Sequence, residues 1–410
     1  MRALFGLLLG YAILVAGNSL LTTLVSLQLL HGQWTSLTVG LVQSCYYVGF
    51  ILGAPLAGRL VTHVGQHRAF VAFGALGTLS ALGFARFDAP AAWALLRTIS
   101  GVSMVFIFTS LESSINTAVR NSERGRAFGT YLVVTYVGVS AGQFLLGTTQ
   151  AAGALQWLMV AGLLAGSVIP AALLGSWIVP QAERPAAPAL ASGAVGISDG
   201  HVGAGPLPAP LPSARAQARA LDGLHELWDA APRCVPACVI AGLLSSAFYA
   251  MTPVYLTRIG YGNAAIAQAM GIALIGALLA QWPVGRWSDF SERRTILCAL
   301  AIMTAQASAV LVVARSHVVV DATLFVYVSL IFSLYGVIVS DVNDRINPGK
   351  RVAVSAALLL MFSLGGSAGP AVAAVCMRVL GSGGLYVFTL AVTAGLAWLM
   401  RPRQALAAAL

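Results

Sequence analysis

Three ionisable residues, Arg97, Glu112 and Asp341, stand inside or at the end of long apolar stretches of the sequence. An arginine at the centre of a membrane-spanning helix costs about 2.5–3.5 kcal/mol, so a charge at such a position usually has a functional reason. Arg97 can bind an anionic group or take part in proton movement. Glu112 and Asp341 are candidates for proton coupling, because a carboxyl group removed from water takes up a proton more readily.

These charges also have structural interpretations. Arg97 lies seven residues after Pro90, so its long side chain can reach the nearer membrane surface. Glu112 follows Arg97 by 15 residues, which is about 22 Å along a helix, so the two side chains cannot pair directly. Glu112 can instead lie at the membrane interface and pair with Arg124 or Arg126.

Uncharged polar residues within the apolar stretches predict a cavity that binds a solute. A mostly apolar pocket with a few polar groups suits a small organic molecule. Asn18 is best placed, near the middle of the first stretch. For any single residue, packing between helices is the alternative. Together with Arg97, the candidate cavity residues are Asn18, Gln43, Tyr131, Gln143, Tyr249 and Gln268.

The composition predicts the kind of element that positions these residues. The chain has 410 residues, of which 58% are hydrophobic and only 9% are charged. Soluble proteins are typically about 45–50% apolar and about 25% charged. The composition therefore excludes a soluble enzyme, a nucleic-acid-binding domain and a disordered scaffold, and it predicts an all-α membrane protein.

Twelve apolar segments are long enough to be membrane-spanning helices, which need about 20 residues each. They cover residues 4–30, 37–60, 69–87, 91–115, 127–150, 155–179, 235–257, 264–286, 295–314, 320–340, 353–377 and 384–400.

The basic residues between these segments predict the orientation in the membrane. If both termini are cytoplasmic, 18 of the 23 basic residues lie on the cytoplasmic side and four on the opposite side. Short cytoplasmic loops of membrane proteins carry an excess of Lys and Arg. The sequence therefore predicts a multi-pass protein with cytoplasmic N- and C-termini.

The chain divides into three parts. Residues 1–179 and 233–410 each hold six apolar segments, and residues 180–232 are rich in Pro, Ala, Gly and Ser. This composition is typical of a flexible cytoplasmic linker. The end of the linker can form a surface helix with Leu221, Leu224 and Trp228 on one face.

No motif for catalysis, nucleotide binding or metal binding is present. The sequence has no G-x-x-x-x-G-K-[ST], no G-x-S-x-G and no H-E-x-x-H pattern, and its five cysteines lack zinc or disulfide spacing. We therefore expect no enzymatic activity, no cofactor, no metal and no ATPase subunit.

A shift of 227 residues superimposes several features of the two halves. Gly58-Arg59 falls on Gly285-Arg286, Gly138 on Gly365, and Gly142 on Gly369. Each pair occupies the same position within its half. The pattern indicates a parallel duplication, with two six-helix halves related by an axis along the membrane normal.

These residues resemble motifs of the major facilitator superfamily. The second half carries the superfamily's loop signature as Gly285-Arg286-Trp287-Ser288-Asp289-Phe290-Ser291-Glu292-Arg293-Arg294, and the first half has a degenerate copy that begins with Gly58-Arg59. Arg97-Thr98-Ile99-Ser100-Gly101 resembles the superfamily's Arg-x-x-x-Gly motif. The resemblance covers the whole chain outside the linker and suggests a bacterial branch of single-component transporters.

The resemblance implies roles for the motif residues. Gly58, Arg59, Gly285, Arg286, Asp289, Arg293 and Arg294 would form a cytoplasmic gate, and Thr62 occupies the acid position in the first half. Gly138, Gly142, Gly365, Gly369 and Pro370 would allow helices to bend, as in the superfamily's antiporter motif. Gln143 replaces the expected proline in the first copy, whereas Pro370 is retained in the second.

The expected function is secondary active transport of a small organic solute across the bacterial inner membrane, by alternating access and with proton-coupled export. The alternatives are a gradient-driven facilitator or uptake carrier, and a membrane sensor or scaffold that transports nothing. The expected partners are the solute, protons and the lipid bilayer, with no nucleic acid, and the expected oligomeric state is a monomer.

Overall fold

The computed structural model describes residues 2–118, 124–148, 154–175, 215–347 and 350–401. Residues 180–214 of the predicted linker lie outside the described residues. The described parts form thirteen helices: α1 Arg2–His31, α2 Ser36–Val64, α3 Gln66–Arg86, α4 Pro90–Ala118, α5 Arg124–Thr148, α6 Ala154–Gly175, α7 Arg215–Ala230, α8 Cys234–Arg258, α9 Asn263–Phe290, α10 Arg293–Val313, α11 His317–Arg345, α12 Arg351–Leu380 and α13 Gly384–Leu399.

Twelve of these helices are apolar and correspond to the twelve predicted segments. Ten of them are long and apolar enough to cross a membrane, and α6 and α13 contain shorter apolar stretches. Helix ends follow local chemistry. Thr35 caps α2 by accepting a hydrogen bond from the backbone N–H of Thr38, and Gly65, with a φ of 96°, separates α2 from α3. The chain is therefore an all-α membrane protein with twelve transmembrane helices.

The internal repeat is visible in the helix packing. In the first half α1 packs on α5, α2 on α4, and α3 on α4 and α6. The equivalent pairs in the second half are α8 on α12, α9 on α11, and α10 on α11 and α13. The two halves meet where α2 packs on α12 and α5 on α9, and these two contacts are themselves equivalent under the repeat.

The motif glycines lie where two helices of one half cross closely. A Cβ atom at Gly142 would overlap the carbonyl of Ala16 on α1, and one at Gly365 would overlap the carbonyl of Val239 on α8. Gly138 and Gly369 make similar close approaches one turn away. Small residues allow this backbone-to-backbone contact between membrane helices.

The two ends of the bundle differ in their basic residues. We call the end with the α2–α3 and α9–α10 loops the Arg-rich end, since it holds Arg59, Arg68, Arg286, Arg293 and Arg294. The end with the α1–α2 and α8–α9 loops is the Arg-poor end.

The predicted surface helix at the end of the linker is α7, which packs mainly on α12. A Cβ atom at Gly223 would overlap the carbonyl of Ala353, and Lys350 forms an ion pair with Glu226. Among the described side chains of α7, Leu227 is fully buried and Trp228 is 57% exposed. The prediction that Leu221, Leu224 and Trp228 face the membrane surface stays a prediction.

Candidate solute-binding cavity

A cavity of about 150 Å³ lies between the two halves. Helices α1, α2, α4 and α5 line it from the first half, and α8 and α12 line it from the second. Its lining residues are Tyr11, Val15, Asn18, Ser19, Thr22, Gln43, Tyr46, Tyr47, Arg97, Phe108, Thr135, Val139, Ser246, Tyr249, Ala250 and Pro370.

One face of α1 forms a large part of the cavity wall. Tyr11, Val15, Asn18, Ser19 and Thr22 all line it. Their spacing places them on a single face of a helix with 3.6 residues per turn. Most of the rest of α1 packs against its neighbours, since most leucines and valines on its other faces are almost fully buried.

Arg97 is the one charged residue among the lining residues and is only 2% exposed. Its Nη2 donates a 3.2 Å hydrogen bond to Oγ1 of Thr22, and its guanidinium carbon lies 4.8 Å from the ring centre of Tyr46. Its Nε and Nη1 atoms are buried without a hydrogen-bond partner. Arg97 therefore faces the cavity and does not extend to the membrane surface.

Thr22 connects Arg97 to two other polar lining residues. The Thr22 hydroxyl donates to the carbonyl of Asn18 at 2.9 Å, so its lone pairs face Arg97. Nε2 of Gln43 donates to the Thr22 carbonyl at 2.6 Å and to Oγ of Ser26 at 2.7 Å. Oε1 of Gln43 and Oδ1 of Asn18 are buried acceptors without a donor.

Aromatic side chains supply most of the remaining surface. Tyr46 and Tyr47 meet edge to face with 5.2 Å between ring centres, and Tyr249 enters from the second half. Tyr11 and Phe108 complete the aromatic part of the wall. The cavity thus combines flat apolar surfaces with one cation and unsatisfied acceptors.

Glu112 lies one helical turn beyond Phe108, toward the Arg-rich end, and is 2% exposed. Tyr11 and Tyr131 lie in the neighbourhood of its carboxyl group. The Tyr11 hydroxyl donates to the Tyr131 hydroxyl at 3.2 Å and lies 3.0 Å from Oγ1 of Thr135. A hydrogen-bonded chain therefore leads from the neighbourhood of Glu112 to the cavity. The side chains of Arg124 and Arg126 lie outside the described part of the chain.

Four predicted site residues do not line the cavity. Tyr131 is 2% exposed and accepts a hydrogen bond from the lining residue Tyr11. Gln143 is fully buried against α1, where it accepts from Oγ1 of Thr23 at 2.9 Å and donates to Oγ of Ser19 at 2.7 Å. Gln268 is exposed. Asp341 forms a 2.8 Å ion pair with Arg345 and accepts a hydrogen bond from the Cys234 thiol at 3.2 Å.

The loop-signature residues lie at the Arg-rich end, and none of them lines the cavity. Arg293 forms an ion pair with Asp344, and Arg294 donates to the carbonyl of Arg401. The guanidinium of Arg286 lies 5.6 Å from the ring centre of Phe290.

Asp289 is exposed, and the ion pairs described in this structure do not include it. In the first copy the hydroxyl of Thr62 donates to the carbonyls of Gly58 and Arg59, both at 2.9 Å. Arg59 is exposed and Gly285 is half-buried. In this conformation, Thr62 at the acid position of the first copy bonds to its own helix, whereas Asp289 at the acid position of the second copy is exposed.

Several contacts between the halves lie between the cavity and the Arg-poor end. Arg258 donates to the hydroxyl of Ser36, and Oγ of Ser26 donates to the carbonyl of Ala250 at 2.8 Å. Gly40 packs so closely on Pro370 that a Cβ atom would overlap its carbonyl. These contacts must separate before a solute can pass toward the Arg-poor end.

Among the polar lining residues, sequence reasoning missed Tyr11, Ser19, Thr22, Thr135 and Ser246. Serine, threonine and tyrosine are common in transmembrane helices, where they bond to their own backbone or to neighbouring helices. The spacing of residues along α1 would have identified two of them. Tyr11 and Thr22 lie seven residues before and four residues after Asn18, and therefore share its face of α1.

The sequence model of the Major Facilitator Superfamily matches residues 7–405. The chain belongs to the major facilitator superfamily. The match confirms the resemblance seen in the motifs, and it covers both halves and the linker between them. Together with the twelve helices, it makes the chain a multi-pass membrane transporter.

Two bacterial relatives match this chain over most of their length. The protein described as uncharacterized MFS-type transporter YcaD of Escherichia fergusonii is 24% identical over 379 residues, which are 92% of this chain and 89% of that protein. The corresponding protein of Salmonella arizonae is 25% identical over 374 residues, covering 91% and 88% of the two chains.

Solved structures share the fold at lower identity. The nucleoside transporter NupG superimposes with a TM-score of 0.75 and 13% identity, over 98% of both chains. A bacterial homolog of the human lysosomal transporter Spinster, in an inward-facing and unoccupied conformation, superimposes with a TM-score of 0.70 and 14% identity, over 97% of this chain and 92% of the other.

Proposed function

We propose that this chain is a secondary transporter that exports a small organic solute across the bacterial inner membrane by alternating access, coupled to proton movement. The observation that carries the proposal is the cavity, because both halves line it. A site between two repeats can face either side of the membrane when the halves rock against each other.

The helix contacts support such a movement. The two contacts between the halves, α2 on α12 and α5 on α9, are equivalent under the repeat. Rocking about them would separate the contacts near Ser36 and Gly40 while the opposite end approaches. The Arg-rich end is proposed to be cytoplasmic, in keeping with the excess of basic residues in cytoplasmic loops.

A proton gradient would supply the energy. One charge that crosses 100 mV releases about 2.3 kcal/mol. Glu112 is the proposed coupling residue, since it is buried, lies near the cavity and neighbours the Tyr131–Tyr11–Thr135 hydrogen-bonded chain. Asp341 is a weaker candidate, because its carboxylate is already paired with Arg345.

The size of the cavity suggests a small solute. Pockets for drug-sized ligands measure about 300–1,000 Å³, whereas this cavity measures about 150 Å³. The fold similarity to the nucleoside transporter NupG is consistent with a small organic solute and does not identify it. The proposed transporter acts as a monomer and needs no ATPase subunit.

Transport can be tested with the purified chain in liposomes that contain a pH-sensitive dye. Nucleosides, sugars, amino acids, monocarboxylates and quaternary ammonium compounds are added in turn, with and without a pH gradient. We expect one class to move together with a proton flux. If no class moves under either condition, transport is wrong and the sensor or scaffold alternative replaces it.

Coupling is tested with Glu112→Gln in the same liposomes. The variant should lose gradient-driven accumulation but keep exchange of solute for solute. Asp88→Asn, at an exposed loop acid, is the matched control and should keep both. Full accumulation by Glu112→Gln would show that Glu112 is not the coupling residue.

The direction is tested in vesicles. Everted vesicles with an acidic interior should accumulate the solute if the protein exports it. Accumulation in right-side-out vesicles, driven by an inward proton gradient, would show uptake instead.

A further inference from the structure

The polar groups of the cavity do not satisfy one another. Arg97 leaves two donor nitrogens without a partner, and Gln43 and Asn18 each leave an acceptor oxygen without a donor. Buried polar groups in folded proteins almost always have hydrogen-bond partners. A set of unsatisfied groups around one cavity therefore indicates the ligand that would complete them.

The charge on Arg97 is the most costly of these features. Arginine stays protonated in proteins. Removing a single ion from water costs several kcal/mol, whereas a cation–π contact such as that with Tyr46 contributes about 0.5–2 kcal/mol. The described ion pairs do not include Arg97, and Glu112 on the same helix is about 22 Å away. The contact with Tyr46 is thus too weak to offset the charge.

The acceptors lie close to the guanidinium because all three residues contact Thr22. Its hydroxyl accepts from Arg97 and donates to the carbonyl of Asn18, and its carbonyl accepts from Gln43. The orientation of the Gln43 amide is fixed, since its Nε2 has two acceptors. Oε1 of Gln43 can therefore only accept, and it requires a donor from the ligand.

On the basis of the proposed transport function, we infer that the solute is a small aromatic hydroxycarboxylate. Its carboxylate binds the guanidinium of Arg97, and its hydroxyl donates to Oε1 of Gln43 or Oδ1 of Asn18. Its ring packs among Tyr46, Tyr47 and Tyr249.

The cavity lining also argues against other solutes. No Asp or Glu lines it, so a cationic solute would meet Arg97 without a compensating carboxylate. An uncharged solute would leave the guanidinium unpaired. The acceptors of Gln43 and Asn18 are neutral amides, which suit a hydroxyl better than an ammonium group that would itself need a counter-charge.

Calorimetry on the purified protein tests this inference. The three probes are mandelate, phenylacetate and mandelamide. Mandelate has the ring, the hydroxyl and the carboxylate. Phenylacetate lacks the hydroxyl and should bind about fivefold more weakly, in line with one neutral hydrogen bond. Mandelamide lacks the charge and should bind at least about tenfold more weakly, in line with a charged one.

Arg97→Gln should weaken mandelate binding at least about tenfold and remove the preference for mandelate over mandelamide. Arg97→Lys, which keeps the charge but not the two-pronged donor geometry, should keep part of this preference. Arg86→Gln, at an exposed arginine outside the cavity, is the matched control and should bind mandelate like the wild type. Thermal unfolding of each variant verifies that it is folded.

The outcomes separate this inference from the proposed function. If none of the three probes binds at 10 mM, or if Arg97→Gln binds mandelate as the wild type does, the inference is wrong. If uridine or methyl glucoside binds and moves in liposomes while mandelate does not, transport stands and the substrate class is wrong. If mandelate binds through Arg97 but no solute moves, the anion site stands and transport is wrong.

Discussion

Arg97 on α4 and Thr22 on α1 are joined by a hydrogen bond of 3.2 Å from Nη2 to Oγ1. The two residues are 75 positions apart, and this bond positions the single cation of the cavity wall against the face of α1 that carries Asn18. Because the Thr22 hydroxyl donates to the Asn18 carbonyl, it can only accept from Arg97. Thr22 is thus a positioning residue for the guanidinium.

Thr22→Val keeps the shape of the side chain and removes the acceptor. We expect mandelate to bind about tenfold more weakly, because the guanidinium loses its one hydrogen bond within the described structure and is no longer held in place. The melting temperature should also fall, because a buried donor that loses its acceptor costs about 1–3 kcal/mol. Thr78→Val on α3 removes a similar hydroxyl, which bonds only to its own helix, and should leave binding unchanged. Equal affinities for Thr22→Val and the wild type would contradict the positioning role.

Arg97→Met should stabilise the protein while it abolishes mandelate binding. The substitution replaces a buried, incompletely paired charge with an apolar side chain of similar length, which removes a desolvation cost. We expect the melting temperature in detergent to rise by roughly 2 °C or more. Arg293→Met breaks an ion pair with the largely exposed Asp344 and should lower stability by less than about 1 kcal/mol. A lower melting temperature for Arg97→Met would show that Arg97 is needed for packing.

Much of the fold could be predicted from the sequence, because hydropathy and the placement of arginines act over whole helices. The repeat was recognisable from a constant offset between Gly58 and Gly285 and between Gly138 and Gly365. Arg97 could be singled out because a charge within an apolar helix is rare. The loop signature was recognisable because its polar residues interrupt two apolar segments.

The cavity wall was harder to predict, because it depends on how each helix is rotated. Gln143 directly follows Gly142, and the close approach of α5 to α1 at that glycine turns Gln143 toward Ser19 and Thr23. Gln268 is polar and lies within an apolar segment, yet it points outward. Residue type alone could not separate these two from Gln43, which lines the cavity.

The glycine of the Arg-x-x-x-Gly motif should be required for the position of Arg97. A Cβ atom at Gly101 would overlap the carbonyl of Tyr46, so Gly101→Ala pushes α4 away from α2 next to the contact between Arg97 and the Tyr46 ring. We expect a loss of stability of about 1–3 kcal/mol and weaker mandelate binding. Both are measured on the purified variant, by thermal unfolding and calorimetry.

Gly162→Ala on α6 is the matched control for Gly101→Ala. A Cβ atom at Gly162 meets nothing within 4 Å. Alanine in a helix interior is favoured over glycine by about 0.5–1 kcal/mol, so this variant should be as stable as the wild type or slightly more stable. If the two variants behave alike, close packing at Gly101 does not determine the position of Arg97.

Gln143→Leu should affect stability and leave the solute site intact. The substitution removes the acceptor of the buried Thr23 hydroxyl and one donor to Ser19, whose hydroxyl still bonds to the carbonyl of Val139. The unsatisfied Thr23 hydroxyl costs about 1–3 kcal/mol. We expect a lower melting temperature and an unchanged dissociation constant for mandelate in the folded fraction. A large loss of affinity at unchanged stability would instead place Gln143 in the solute site.

Gly40→Ala should open the Arg-poor end of the cavity. Gly40 lies on α2 of the first half and packs on the backbone of Pro370 in the second half, so an added methyl group must separate the halves there. The measurement is the rate at which a membrane-impermeant maleimide, added on the Arg-poor side, modifies Ser26→Cys in a chain without its five native cysteines. Ser26 is buried and bonds to Ala250 across the same interface.

The control for this experiment is Gly166→Ala on α6, where a Cβ atom meets nothing within 4 Å. Labelling should be several-fold faster in Gly40→Ala than in the control, because the methyl group acts only on the closed Arg-poor interface. Mandelate should slow the labelling again, because it binds the closed arrangement in which Arg97 and Thr22 are in contact. Unchanged labelling together with a lower melting temperature would mean that Gly40 is a packing contact and that the interface opens elsewhere.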